Sequence, residues 1–133
     1  MNAARGFPRP LVVLALAYLA ASFAHFAHNA TYIAFYPGLP AWITRESVWL
    51  AWLAVTAVGV AGWLCARLSL HKVALALLAV YGAIGLDGLL HYTLALCAEH
   101  TFATNLTIWA EASTGLALAL GAAVLCSRRM ASG

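Results

Sequence analysis

The chain reads as an all-α membrane protein, a four-transmembrane-helix bundle of up-down-up-down topology with both termini cytoplasmic. Three observations predict this. Of 133 residues, 65% are hydrophobic and only 8% charged, against about 25% charged in soluble domains. Four apolar stretches follow one another, each close to the roughly 20 residues that a bilayer core demands. The cations then sort by side: Arg5 and Arg9, Arg67 and Lys72, and Arg128 and Arg129 fall on one face, Arg45 alone on the other. Cytoplasmic loops carry such an excess of Lys and Arg.

The first span is expected over about 11–36. Its start has the charges, the apolar run and the Ser22-Phe23-Ala24 small-x-small pattern of a signal peptide. The run continues well past Ala24, which argues for a retained helix. Pro37-Gly38-Leu39-Pro40 ends it, since proline cannot continue a helix and glycine permits the turn. Trp42 and Thr44-Arg45-Glu46 read as interfacial. The second span is expected over about 47–68, and Ser69-Leu70-His71-Lys72 makes a tight connection in which His71 is a solvated loop residue. The third runs over about 73–97 and the fourth over about 102–126, joined by Ala98-Glu99-His100-Thr101. Connections this short make consecutive helices antiparallel neighbours within a single domain, 1–133.

Composition also excludes some functions. The net charge of +3 is scattered near helix ends and forms no nucleic-acid patch. Cys65, Cys97 and Cys126 form no C-x-x-C pair and read as small apolar residues. An alanine-rich composition without eukaryotic targeting signals points to a bacterial cytoplasmic (inner) membrane.

Five ionisable side chains interrupt these spans: His25 and His28, Asp87 and His91, and Glu111. Such groups are costly in hydrocarbon and by default mark a functional site. At about 1.5 Å per residue they fall roughly 9–16 Å below the outer surface, on three helices that run in alternating directions. Facing agrees with depth. Tyr18, His25, His28, Asn29, Tyr32 and Tyr36 share one stripe of the first helix at about 100° per residue. Asp87 and His91, four apart, stack on the third. Thr104, Thr107, Glu111 and Thr114 share a stripe of the fourth, from which Asn105 falls away. Gly82, Gly85 and Gly88 thin the third helix around Asp87 and allow a neighbour to approach.

Imidazoles with carboxylates suit a transition metal, so His25, His28, Asp87, His91 and Glu111 are the expected ligands. Asn29, Tyr32, Thr107 and His100 would surround them, orienting the rings or gating access. The lack of nearby thiolates and of repeated E-x-x-H pairs leaves copper or zinc, with mononuclear iron behind them. Over three residues alone, Asp87-x3-His91 followed by His100 resembles the Asp/His/His copper site of the particulate monooxygenases, which implies copper. In an enzyme, Glu111 or Asp87 would shuttle a proton while the metal acted on an apolar substrate entering from the bilayer. Without metal, the same groups would form a proton relay, or the polar core of an accessory subunit in a larger membrane complex or homo-oligomer. A b-type haem on a first-helix histidine and His91 ranks below both. The site is predicted to open toward the periplasmic side.

Overall fold

The computed structural model describes residues 7–131, so Arg5, one of the six cations counted on one face, lies outside it. Among the described residues there is no strand, and four helical stretches are long and apolar enough to cross a membrane. Helix α1 spans Arg9–Thr31 and begins with Pro10 in its first turn, where the missing N–H costs no hydrogen bond. It stops before 36. Tyr36, constrained by Pro37 to an extended conformation (ψ 119°), forces the chain out of the helix through one 3₁₀ turn, Ile33–Phe35. Gly38 then takes a φ of 73°, which the turn requires.

Helix α2, Arg45–Arg67, starts two residues earlier than its apolar pattern suggests because Thr44 caps it. Ser47 N–H donates to Thr44 Oγ1 at 3.2 Å while Thr44 N–H donates to Ser47 Oγ at 2.9 Å. Both orphan donors are thereby satisfied. Thr44→Ala is expected to cost about 1 kcal/mol, read as a lower thermal midpoint by circular dichroism.

Helix α3, His71–Ile84, takes in His71, so this residue opens a helix rather than sitting in a loop. The regular third span expected over 73–97 is also corrected. At Gly85 the α-helix tightens into a 3₁₀ segment, Gly85–Leu90, followed by one turn, α4, His91–Leu94. Helix α5, Phe102–Ala131, runs beyond the expected end at 126. Asn105 clamps the connection before it, accepting from Tyr92 O–H at 2.8 Å and donating to Cys97 O at 3.0 Å.

Helix α5 packs on α1 and α3, and α2 packs on α3 and α1. Of the four spans α2 is the least covered, with 6% of its apolar window buried against 28–39% in the others. Its flank is therefore the one most available to lipid. Leu11 and Tyr18 of α1, Leu75, Leu78 and Tyr81 of α3, and Leu118 and Ala122 of α5 form a buried core. Tyr18 meets Tyr81 edge-on, ring centroids 4.6 Å apart. This core comes from the N-terminal half of α1, the length of α3 and the C-terminal half of α5. The opposite end is where the polar residues gather.

The three glycines of the third span work as the sequence suggests. A Cβ on Gly82 would lie 2.5 Å from Gly115 O, one on Gly85 would lie 2.6 Å from the Tyr18 ring, and one on Gly88 would lie 3.2 Å from Glu111 Oε2. Absent side chains let α3 and the 3₁₀ segment settle against α1 and α5.

Candidate functional site

Tyr18, Ser22, His25 and Asn29 follow one another along α1 at spacings of four, three and four, so they line one side of the helix. The first three are buried. His25 is the hub, 2% exposed, as is Glu111 of α5. Thr107 donates its hydroxyl proton to Thr104 O at 2.9 Å. With that proton engaged, its oxygen suits a donor at His25 Nδ1, 3.3 Å away, and so the tautomer protonated at Nδ1. In the neutral ring the Nε2 lone pair of His25 is left facing inward.

That lone pair has company. Asn29 Nδ2 donates to His25 Nε2 at 3.1 Å and to His91 Nε2 at 3.2 Å. Glu111 Oε2 stands 3.6 Å from His25 Nε2, too long for a hydrogen bond. Two acceptor nitrogens, from α1 and α4, therefore share one amide nitrogen, and a carboxylate oxygen of α5 stands beside the first of them. The amide is held at that end only, because Asn29 Oδ1 is buried with no hydrogen-bond partner. Such an unpaired carbonyl costs about 1–3 kcal/mol, so the side chain has a reason to leave.

Asp87 stands apart from this cluster. It is exposed on the rim of the same cavity, about 400 Å³, that His25, Asn29, His91 and Glu111 line. The expected stacking of Asp87 on His91 assumed 100° per residue. In the 3₁₀ segment each residue advances about 120° instead, which turns Asp87 outward. Among the described residues it makes no hydrogen bond or ion pair.

His28 goes elsewhere. Its Nδ1 lies 2.7 Å from Tyr36 Oη and its ring 4.7 Å from that of Tyr32. Both line a second cavity, about 500 Å³, with Thr101 and Thr104. Tyr32 is thus a neighbour of His28 rather than of His25. His100 is buried, with neither ring nitrogen hydrogen-bonded, its ring 6.1 Å from that of His91 and 5.5 Å from that of Tyr92. It does sit beside the cluster, as an uncommitted imidazole.

Tyr36 is the residue that sequence reasoning undervalued. Its ring lies 5.1 Å from that of His91 and 5.8 Å from that of His28, separating the two histidines. Burial pushes its phenol up to about 12, so it stays protonated beside His28 Nδ1. The 3₁₀ turn Ile33–Phe35 and the extended Tyr36 after it, not α-helical phase, place the ring beside both histidines.

The rings of His25 and His91 lie 5.4 Å apart and are steeply inclined at 74°. Among the described residues, no three His, Cys, Asp or Glu side chains are already gathered closely enough to hold a metal ion. No family model matches the chain, and no curated protein or solved structure matches it either.

Proposed function

We propose that this is a multi-pass protein of the bacterial cytoplasmic membrane, an up-down-up-down bundle forming one domain with both termini cytoplasmic. It binds a transition metal ion, copper or zinc ahead of iron, near its periplasmic end. The ligands are His25 Nε2, His91 Nε2 and Glu111, with Asp87 a further carboxylate at the rim. One observation carries the reading: His25 Nε2 and His91 Nε2 converge on a single amide nitrogen at 3.1 and 3.2 Å, and buried Glu111 approaches His25 Nε2 at 3.6 Å. Acceptors converging in low dielectric favour a cation among them.

Zinc–imidazole bonds are about 2.0–2.1 Å, so binding requires Asn29 to rotate away and the rings to close in by about 1 Å. Thr107 holds His25 in the tautomer that offers Nε2. His28 drops out of the ligand set and serves the second cavity. In a catalyst, Glu111 or Asp87 is the group placed to carry a proton.

The metal-free alternative has its own support, since Asn29 already satisfies both histidines. A relay crossing the membrane is disfavoured because, among the described residues, the buried polar side chains are Ser22, His25, His100, Thr104 and Glu111, none of them beside Leu11, Leu75 and Leu78. A one-sided proton site in an accessory subunit is what remains of it.

Metal analysis and absorption spectroscopy of protein purified from metal-replete cells test the proposal. One equivalent of copper or zinc is expected, lost in both His25→Ala and His91→Ala but retained in His28→Ala. Metal-free wild-type protein sinks it.

A further inference from the structure

The cavity beside His25 changes character from one end to the other. At its inner end are His25 and Glu111, each 2% exposed. Its walls are apolar, among them Phe26, Ile43 and Val48. At its mouth stand Trp42 and Leu90, 76% and 60% exposed. Leu90 lies within a stretch long and apolar enough to cross a membrane, which puts that side of the mouth within reach of acyl chains, while Trp42 lies in the loop before α2. The volume of about 400 Å³ is within the range of small-molecule sites, which combine apolar walls with a few convergent polar groups.

The polar end is strongly biased. It holds one carboxylate, Glu111, with two imidazoles and an amide, a second carboxylate, Asp87, stands at the rim, and no Lys or Arg is among the described residues lining the cavity. The cation nearest in sequence, Arg45, is committed to Ala30 O, 3.1 Å from its Nε. An anionic head group would meet two carboxylates in low dielectric without a compensating charge. A head that donates hydrogen bonds meets carboxylate acceptors instead, and Asp87 stands at the rim with none of its oxygens bonded.

We infer that this cavity binds a single-chain amphiphile drawn from the bilayer, with a non-anionic, hydrogen-bond-donating head against Asp87 and His91 and an apolar tail leaving past Trp42 and Leu90. It rests on the reading of the His25–Glu111 end as the functional site, but not on a metal being bound there. Ala51, a wall residue exposed on α2, offers a way to fill the cavity without touching any polar group.

The test uses chelator-washed full-length protein in nonionic detergent and native mass spectrometry with dodecylamine, dodecanol and dodecanoate. Saturable one-to-one adducts are expected for the amine and the alcohol, with dodecanoate at least about tenfold weaker. Ala51→Trp should weaken amine and alcohol about tenfold or more, and Asp87→Asn should weaken the amine selectively. Circular dichroism checks that both variants fold, and Ala51→Trp should keep the metal equivalence of the wild type. Dodecanoate binding as tightly as the amine, or Ala51→Trp binding unchanged, overturns the inference. Adducts that persist in a protein that never takes up metal would leave it standing and sink only the metal reading.

Discussion

Gly82→Ala is expected to destabilise the bundle by about 3 kcal/mol, the upper part of the range for overpacking a core. The new methyl would sit 2.5 Å from Gly115 O and 2.7 Å from Ala119 N. Both obstacles are backbone atoms of α5, so no side-chain rotation relieves them. The helices must separate, and the packing of Leu75, Leu78 and Leu118 separates with them. Gly115→Ala meets the same contact from the other side, 2.5 Å from Gly82 O, and should behave alike. Gly121→Ala is the control, because its nearest neighbours are side-chain methyls of Leu11 and Leu14 at 3.5 and 3.6 Å. Its effect should stay within about 0.5 kcal/mol. Thermal unfolding in detergent measures all three. A loss below about 1 kcal/mol in Gly82→Ala would mean that α3 and α5 are not held at this distance.

Much of the fold was legible because hydrophobic length is a blunt, robust signal. A run of apolar residues bounded by Pro37, Gly38 and Pro40 can hardly be anything but one span and its end. The layer of polar residues was legible for a related reason: depth follows from counting residues, whatever the helix's rotation. Rotation was the weaker inference. It held for His25, Asn29 and Glu111, which lie on regular α-helix. It failed for Asp87, where the tightening at Gly85 changes the angle per residue. His28 lies one residue before Asn29 and shares its depth, yet its ring goes to Tyr36. Only the turn that returns Tyr36 over α1 decides that, and turn geometry leaves no periodic trace. The sequence also ranks side chains by chemistry, so it favoured imidazoles and carboxylates over amides. Asn29 was assigned to the surroundings, while the fold puts its nitrogen between His25 and His91.

Asn29→Ala therefore separates the two readings of the site more sharply than removal of any ligand would. Without the amide, the Nε2 atoms of His25 and His91 lose the donor now at 3.1 and 3.2 Å. Each buried acceptor left unpaired costs about 1–3 kcal/mol, so the metal-free variant should be clearly less stable than wild type. If the cluster is only a polar network, nothing added to the buffer repairs that loss. If it is a metal site, the amide is a plug. Wild-type protein must break two hydrogen bonds, each worth about 0.5–1.5 kcal/mol net, before an ion can enter. The variant is spared that cost and should bind copper or zinc about tenfold more tightly. Metal at about 100 times its dissociation constant should then return roughly 2.7 kcal/mol of stability. Glu111→Gln, which removes the negative charge but keeps the shape, should show no such rescue. A variant that metal leaves as unstable as before would place Asn29 as the keystone of a metal-free network and retire the ion from the site.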